Sequence, residues 1–436
     1  MTSVEKLYNS KLVTAAEAIS KLPRSGALWL HHAVMEPKTL VNELVAQHER
    51  FDRLNVYHMV RNKPEPDITL PGMEKYFLNN AVFCGANSRA AFAEGRMDYT
   101  PMFFFDMPIQ IRRGFVPVDA ILLQLSPPDA HGYCYMGASV DCSMQAARSA
   151  GLVIAQISDK TPHVFGESVL HLSELDYITE ANDDLYEIGP PLIGDEEKAI
   201  GAYCAELIED GSTLQLGIGG IPDAVALSLD KKKDLGIHSE MISEGTLALF
   251  EKGVINNSKK SENRGRMTVT FLMGTTKLYD FCDSNHAIEI RPVDYVNHPV
   301  TIMRQYKPVG VNSAIEVDLM GQVVSEAIGP RQFSGCGGQV DFVRGCSMAE
   351  DGKAIIAINS STVKKDGTRI SKIVPNITPG APITTSRMDV NYVVTEYGIA
   401  PMRGRSLRQR AKALIEIAHP DFRADLRAEY NKRFKD

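Results

Sequence analysis

Residues 235–253, LGIHSEMISEGTLALFEKG, form the stretch that best organises the rest of the sequence. Residues 235–242 predict a β-strand, and a short helix should follow it. Ser243 is a candidate N-cap of that helix, and Gly253 follows its last apolar residue. Glu240 would then lie near the carboxyl end of a strand, which is where ligands bind in open α/β sheets.

Glu240 has two interpretations at this stage. In the first it is a carboxylate nucleophile at a ligand site beside a helix N-terminus. In the second it is a surface glutamate at the end of a strand, which is the more common role of any single glutamate. The other motifs of the chain have to decide between them.

Alternating helical and apolar segments predict an α/β fold with parallel strands covered by helices. Strands are expected at 25–30, 54–60, 82–84, 120–125, 152–157, 213–216, 269–273, 354–359 and 392–395. Helices are expected at 14–22, 36–48, 196–209 and 222–229, with 407–418 as the closing helix. A chain of 436 residues exceeds the size at which one core keeps growing, so we expect two domains. The proline- and glycine-rich segment 185–195 separates the predicted domains 1–188 and 189–436.

The overall charge of −7 argues against general affinity for nucleic acid or for an anionic membrane. No secretory signal pattern is visible near Met1, and no apolar run is long enough to span a bilayer. The seven cysteines are scattered without a CxxC pair, which is typical of free thiols in a reducing compartment. We therefore expect a cytoplasmic protein with no nucleic-acid or membrane partner.

The first glycine cluster is Gly217-Ile218-Gly219-Gly220-Ile221, between a predicted strand and a predicted helix. Backbone amides in such a turn can approach a ligand closely, and the helix N-terminus favours anions. The cluster is neither a Rossmann fingerprint nor a P-loop, because Pro222 follows it and no GK[ST] occurs. A tight strand-to-helix turn explains the cluster equally well.

The second cluster, SGCGGQVDF at 334–342, has three glycines in four positions. Unhindered N–H groups are what an oxyanion hole or a thioester cradle requires. A flexible hairpin is the alternative explanation. Cys336 lies in this cluster, but no histidine is nearby in sequence, so a small buried cysteine is the simpler interpretation.

Several common catalytic arrangements are missing from the sequence. No HExxH or other metal-ligand spacing occurs, so we expect no bound metal. No GxSxG motif occurs, which removes the usual serine-hydrolase route. Basic residues gather late in the chain, and the sequence does not divide phosphate contacts from solvated helix faces; they are Lys364, Lys365, Arg387, Arg403, Arg405, Arg408 and Arg410.

Long ordered motifs across nearly the whole chain resemble the coenzyme A transferases of the acetyl-CoA hydrolase/transferase family. These motifs are HAVMEPKTLVNEL at 32–44, LLQLSPPDAHGYCYMGASVD at 122–141, LQLGIGGIPDAV at 214–225, LGIHSEMIS at 235–243, EVDLMGQVVSEAIGPRQFSGCGGQVDFVRG at 316–345 and TEYGIAPMRGRSLRQRAKALIEIAHPDFR at 395–423. Within the family, the chain is similar to the branch that acts on 4-hydroxybutyrate and to the butyryl-CoA:acetate branch. The resemblance implies two similar open α/β domains with mainly parallel sheets, an active site between them, and a homodimer.

The resemblance also implies roles for individual residues. The segment HSEMIS makes Glu240 the nucleophile, and Gly338 matches the glycine that supplies an oxyanion-hole N–H. Coenzyme A contacts are implied for the glycine turn (Gly217, Ile218, Gly219, Gly220 and Ile221), for Ser334 and Gly338, and for a lysine before the DG pair. That lysine is Lys365, with Lys364 as the alternative. His32 and Gln215 match positions near the acyl group.

The implied reaction moves coenzyme A between short-chain acids, with 4-hydroxybutyrate or butyrate and acetyl-CoA as the expected substrates. Glu240 would pass through an acyl anhydride and a glutamyl-CoA thioester, with ping-pong kinetics. A glutamate with the ordinary pKa of about 4.3 is ionised at neutral pH, so no general base is needed. Coenzyme A is a substrate here, and no resident cofactor is expected. The alternatives are an acyl-CoA hydrolase on the same scaffold and a non-catalytic nucleotide- or coenzyme A-binding protein.

Overall fold

The structure is a computed structural model that describes residues 1–61 and 67–435. Within these residues, helices and strands alternate along the chain, which confirms the predicted α/β class. The α-helices are α1 Ser3–Lys11, α2 Ala15–Ser20, α3 Lys38–Ala46, α4 Arg89–Ala93, α5 Met107–Arg112, α6 Ser143–Ser149, α7 Asp195–Leu207, α8 Gly220–Leu227, α9 Glu244–Glu251, α10 Thr276–Cys282, α11 Val293–Val296, α12 Pro299–Met303, α13 Gln339–Met348, α14 Leu407–Glu416 and α15 Pro420–Arg433.

The strands are short and spread over the whole described chain. They are β1 Ala27–Leu30, β2 Leu54–His58, β3 Phe77–Ala81, β4 Met97–Tyr99, β5 Ala120–Leu125, β6 Tyr133–Tyr135, β7 Leu152–Ile157, β8 Val169–His171, β9 Tyr177–Glu180, β10 Thr213–Leu216, β11 Gly236–Ile237, β12 Met267–Val269, β13 Ile288–Ile290, β14 Pro308–Ser313, β15 Glu316–Asp318, β16 Val323–Val324, β17 Ala327–Ile328, β18 Arg331–Gln332, β19 Lys353–Ala357, β20 Ser361–Val363, β21 Arg369–Ser371, β22 Ile373–Val374, β23 Tyr392–Thr395 and β24 Gly398–Pro401.

The chain divides into two compact units. Unit 1 contains Met1–Gly189 and Thr268–Val296, and unit 2 contains Pro190–Met267 and Asn297–Asp436. The segment 268–296 packs with unit 1 because backbone bonds join it to residues 138–140, for example from Leu272 N to Ala138 O over 2.8 Å. These are units of packing. The division of the sequence into domains 1–188 and 189–436 stays a prediction.

Unit 1 is built on a seven-stranded sheet with the order β4-β3-β2-β1-β5-β7-β9, and its strand pairs are parallel. Strands β1 and β5 are buried along their whole length, as expected for parallel strands that are covered on both faces. One apolar core lies between this sheet and the helices α2 and α3. It includes Ile19, Leu28, Leu30, Leu40, Leu44, Val56, Phe77 and Leu122.

Unit 2 is built on a six-stranded sheet with the order β11-β10-β14-β19-β23-β24. The first five strands are parallel, and only the edge strand β24 runs antiparallel to its neighbour β23. Strand β10 is fully buried and lies between β11 and β14. The carboxyl ends of the parallel strands therefore meet at one edge of the sheet, where an open α/β sheet binds its ligands.

Most predicted strands occur where the sequence placed them, and 120–125, 152–157, 213–216 and 392–395 match to the residue. The prediction of a strand at 82–84 was wrong, because the strand of this region is β3, which ends at Ala81. The helix at 407–418 does not close the chain, because α14 ends at Glu416 and α15 begins at Pro420 after a break at residues 417–419. Among the described residues, no helix has both the length and the apolar character needed to cross a membrane.

Candidate active site

The chain leaves the carboxyl edge of the unit 2 sheet after each of its five parallel strands, and the loops after β10 and β11 carry predicted site residues. The glycine turn 217–219 follows β10, and Glu240 follows β11. Because β10 and β11 are neighbouring parallel strands, their following loops start side by side. The loops after β14 and β19 start at the same edge.

Glu240 is half-buried in a bend and not in the strand predicted for residues 235–242, which was wrong in extent. Pairing with β10 ends at Ile237, and the chain is then held by a bond from His238 N to Leu214 O. The hydroxyl of Ser239 next donates to Leu216 O over 3.1 Å. These bonds hold residues 238 and 239 against β10. Glu240 then follows in a bend at the edge of the sheet.

Ser243 is the N-cap of α9, as predicted, but its side chain does not cap that helix. Its hydroxyl donates instead to Oδ1 of Asp223 in α8 over 2.8 Å. Burial raises the pKa of Asp223, and the bond from Ser243 opposes this shift. The start of α9 is thereby tied to the helix that follows the glycine turn.

The Glu240 carboxylate meets an asparagine and a glycine from two other parts of unit 2. Nδ2 of Asn297 donates to Oε2 of Glu240 over 3.0 Å. Asn297 lies between α11 and α12 and is fully buried. Gly338 is the N-cap of α13, and a Cβ at this position would overlap Oε2 of Glu240 and Nδ2 of Asn297. The structure therefore brings Glu240 and Gly338 together and adds Asn297, while the catalytic roles of Glu240 and Gly338 stay predictions.

The glycine turn lines a cavity of about 250 Å³ at the same edge of the sheet. Gly219 has a φ of +119°, a conformation that favours glycine, and it is the N-cap of α8. The other lining residues come from the loops after β14 and β19 and from α7, and they include Glu197, Ser313, Asn359 and Lys372. The lining of the cavity thus includes the backbone of the glycine turn at the N-terminus of α8 and the side chain of one lysine.

Lys372 follows β21, and its ammonium group is part-buried. Burial lowers the pKa of Lys372, while the carboxylates of Glu396, Glu196 and Glu197 act in the opposite direction. Lys364 and Lys365, the lysines singled out in the sequence, are exposed in the turn between β20 and β21. They are not among the residues that line this cavity.

Comparison with known proteins identifies the family of this chain. The chain matches the acetyl-CoA hydrolase/transferase N-terminal domain over residues 2–188 and the C-terminal domain of the same family over residues 274–430. It is 51% identical to the 4-hydroxybutyrate coenzyme A transferase of Clostridium kluyveri, over 99% of both chains. The chain belongs to the acetyl-CoA hydrolase/transferase family. It is an enzyme of the CoA-transferase class.

Two further relatives agree with this assignment. The butyryl-CoA:acetate CoA-transferase of Anaerostipes caccae is 34% identical, over 97% of this chain and 96% of that protein. The crystal structure of a 4-hydroxybutyrate CoA-transferase from Porphyromonas gingivalis is 37% identical and superposes with a TM-score of 0.84, over 99% of this chain and all of that one. The family resemblance and the fold class expected from the sequence are therefore confirmed.

Two other predicted residues of the CoA-transferase, Gln215 and Ser334, lie in unit 2. Gln215 is buried on β10, and its Oε1 accepts a hydrogen bond from Nδ2 of Asn312 in β14 over 3.1 Å. Ser334 lies in the loop before α13, where its hydroxyl donates to Ser325 O over 3.2 Å. Their roles toward the acyl group and coenzyme A stay predictions.

His32, the remaining predicted substrate residue, lies in unit 1. It is buried two residues after the end of β1, and its Nε2 is 2.9 Å from Oδ2 of Asp141. Burial opposes ionisation of Asp141, but His32 and Ser139 outweigh it and hold the pKa of this carboxyl well below its usual range. His32 is thus part of a buried polar pair, and its expected role near the acyl group stays a prediction.

His32, Asp141 and Cys142 present metal-ligand atoms within 4.8 Å of one another. Asp141 already accepts hydrogen bonds from Ser139 and from the backbone and hydroxyl of Ser143. Burial raises the pKa of the Cys142 thiol well above its usual value, which disfavours the thiolate that binds metals. We assign no metal to this cluster, and the expectation that the enzyme binds none stays a prediction.

Cys336 lies beside the candidate nucleophile but is a poor nucleophile itself. Burial raises the pKa of its thiol, and the carboxylates of Asp341, Glu326 and Glu240 raise it further. The thiolate is the reactive form of cysteine, so this environment suppresses its reactivity. The sequence-based interpretation was a small buried cysteine, and in the structure Cys336 is half-buried.

Three residues of the site were missed in the sequence: Asn297, Asp341 and Lys372. Asp341 stands inside the second glycine cluster, but the pattern gave it no role. Asn297 lies in a YVNHP segment between two short helices, which has no motif signal. Lys372 lies seven residues after Lys365, and only the turn between β20 and β21 brings it back to the sheet edge.

Proposed function

We propose that this CoA-transferase moves coenzyme A between short-chain carboxylic acids through covalent intermediates on Glu240. The observation that carries the proposal is the placement of the Glu240 carboxylate against Asn297 and Gly338. It lies at the carboxyl edge of a parallel sheet, next to a glycine turn that faces a cavity. A carboxylate nucleophile, a donor for its oxygens and a binding turn are the parts that the reaction needs.

The reaction begins when a Glu240 oxygen attacks the carbonyl carbon of the acyl-CoA thioester. The carbon–sulfur bond breaks, coenzyme A leaves as a thiolate, and an acyl-glutamyl anhydride remains on the enzyme. The thiolate then attacks the Glu240 carbonyl carbon, which releases the first acid as a carboxylate and leaves a glutamyl-CoA thioester. The second carboxylate reverses these steps and departs as its own CoA thioester. No net proton is taken up or released.

Asn297 and Gly338 have separate tasks in this scheme. When the thiolate attacks the Glu240 carbonyl, negative charge develops on an oxygen of Glu240 itself. Nδ2 of Asn297, 3.0 Å from Oε2, is placed to donate to that oxygen. Gly338 leaves the space that this contact occupies and is proposed to offer its backbone N–H to an oxyanion.

We propose that coenzyme A binds along the glycine turn, that is Gly217, Ile218, Gly219, Gly220 and Ile221, with contacts to Ser334 and Gly338. Lys365 is the lysine implied by the family pattern, and Lys372 is the lysine that lines the cavity. Coenzyme A enters as a substrate, and no resident cofactor is needed. His32 and Gln215 are proposed to act near the acyl group.

The proposed substrates are 4-hydroxybutyrate or butyrate together with acetyl-CoA. This choice is supported by the names of the relatives, of which the 51% identical one acts on 4-hydroxybutyrate. A homodimer and a cytoplasmic location are proposed with it. The alternative is an acyl-CoA hydrolase, in which water resolves the covalent intermediate. The transferase is favoured because the three relatives described above, which match nearly the whole chain, are named as transferases.

The test is to incubate acetyl-CoA with the enzyme, with and without 4-hydroxybutyrate, butyrate, propionate and succinate. We expect a new CoA thioester only when an acceptor is present, with ping-pong kinetics. Equal release of coenzyme A with and without acceptor would support the hydrolase instead. Glu240→Ala should abolish turnover, and borohydride reduction after exposure to acyl-CoA should leave a mass change at Glu240. Turnover by the Glu240→Ala variant would remove Glu240 from the mechanism.

A further inference from the structure

Asp341 is a second carboxylate at the site and, unlike the half-buried Glu240, is fully buried; it has no role in the mechanism of Glu240. It is the third residue of α13 and is 1% exposed. Its Oδ2 accepts a hydrogen bond from Nδ2 of Asn297 over 3.3 Å. The same Nδ2 atom donates to Glu240, so one amide nitrogen links two carboxylates.

The orientation of the Asn297 amide decides what it offers to Glu240. An asparagine side chain has a donating NH₂ end and an accepting carbonyl end of similar shape. The carbonyl end, Oδ1, is buried and has no hydrogen-bond partner within the part of the chain that the structure describes. Nothing on that side therefore fixes the amide. The two carboxylates on the other side do, because a flipped amide would point its carbonyl oxygen at both of them.

We propose that Asp341 is a positioning residue that keeps the NH₂ group of Asn297 turned toward Glu240. One amide hydrogen is engaged by Asp341, which leaves the other directed at Oε2 of Glu240. The inference rests on the proposed role of Glu240 as the nucleophile. Asp341 also lies in the first turn of a helix, where an acidic residue is favourable for stability alone. The test has to separate these two roles.

A double-mutant cycle between Asp341→Asn and Asn297→Ala makes this separation. An asparagine at 341 can donate to the carbonyl of Asn297, which allows the flip. We expect Asp341→Asn to lower kcat about tenfold, the effect of one ordinary hydrogen bond, with KM for acyl-CoA within about twofold. In the Asn297→Ala background, the same substitution should leave kcat unchanged, because no amide remains to be oriented. The rate of glutamyl-CoA formation in a single turnover should follow kcat.

Asp318→Asn is the matched control. Asp318 is a buried carboxylate of unit 2 that accepts backbone bonds from Met320 and Gln322 and takes no part in the site. Removal of this charge in Asp318→Asn should lower the unfolding temperature without changing the kcat of the folded enzyme. Asp341→Ser keeps an oxygen acceptor without the charge and is measured in parallel. If Asp341→Asn does not fold, the kcat of Asp341→Ser is compared with and without Asn297→Ala in its place.

An equal loss of kcat in both backgrounds, or no loss in either, would overturn the positioning role. This result is distinct from failure of the proposed function. If Glu240→Ala abolishes turnover while the cycle is additive, only the role of Asp341 is wrong. If Glu240→Ala keeps turnover, the nucleophile itself is wrong.

Discussion

Nδ2 of Asn297 lies 3.0 Å from Oε2 of Glu240, although the two residues are 57 positions apart in the chain. The glutamate comes from the loop after β11, and the asparagine comes from the junction of two short helices. Their contact joins a sheet edge to a helical segment of unit 2. It also gives the carboxylate a fixed direction, which a half-exposed glutamate on a loop would otherwise lack.

Loss of that contact should lower the rate. For Asn297→Ala we expect kcat to fall about 100-fold, because one donor to a developing oxyanion is typically worth that much, while KM for acyl-CoA changes little. Steady-state kinetics with acetyl-CoA and an acceptor acid measure both. Asn256→Ala removes an exposed asparagine that bonds Asp234 and should behave as the unmodified enzyme. An Asn297→Ala variant with full activity would show that the contact has no catalytic role.

The space at Gly338 gives a steric prediction. Gly338 has a φ of −90°, which alanine also adopts, so Gly338→Ala should fold. Its Cβ would displace the Glu240 carboxylate, and a shift of about 1 Å can cost on the order of 100-fold in rate. Gly189→Ala, where a Cβ meets nothing within 4 Å, is the control. The expected result is a large loss of kcat at 338 with an unchanged unfolding temperature, and a loss of folding instead would contradict it.

Lys372 and Lys365 can be compared by their contributions to acyl-CoA binding. Lys372→Met should raise KM for acyl-CoA about tenfold, because the carboxylates around the cavity then lack a compensating charge. Lys365→Met is the matched variant, since its side chain is exposed in the turn. The KM values of the two variants, measured at several salt concentrations, decide between them. A larger increase for Lys365→Met would favour the residue implied by the family pattern.

His58 gives a pH dependence of stability. Burial, and next the charge of Arg61, lower the pKa of His58 to about 3. The unfolded chain binds a proton at this histidine below its ordinary pKa of about 6.5, whereas the folded protein does not until about pH 3. The free energy of unfolding should therefore fall as the pH decreases from 6.5 toward 3. Urea unfolding between pH 7 and pH 4.5 measures this slope.

In a His58→Gln variant the slope should be smaller by the contribution of one proton. His131→Gln, at an exposed histidine, is the control for the loss of a histidine as such. A slope that is the same in His58→Gln and in the unmodified enzyme would show that His58 does not titrate as its burial implies.

The sequence predicted the fold well where strands are buried on both faces. The segments 120–125 (AILLQL) and 213–216 (TLQL) are short, rich in leucine and buried at every position, as expected for central parallel strands. The prediction failed at residues 235–242, because apolar residues recur at Met241 and Ile242 while the pairing with β10 ends at Ile237. Where a strand stops depends on its neighbour, and a local pattern does not contain that neighbour.

The site shows the same limit. Glu240 and Gly338 could be predicted as site residues because each lies in a motif that is long enough to be recognised. Asn297 has no such motif, since its role comes from a contact across 57 residues of chain. Lys365 was predicted from the family pattern of a lysine before a DG pair, with Lys364 as the alternative. Lys372 has no such pattern, and only the β20–β21 hairpin brings it to the lining of the cavity.

The hydrogen bond between Ser243 and Asp223 joins the segment after Glu240 to the helix after the glycine turn. Ser243 is three residues after Glu240, and Asp223 is four residues after Gly219, so one 2.8 Å bond spans the loop of the nucleophile and the helix that carries the binding turn. With coenzyme A bound along the glycine turn, as proposed, this bond would connect the coenzyme A site to the loop of the attacking carboxylate. We therefore expect coenzyme A binding and the position of the Glu240 carboxylate to depend on each other.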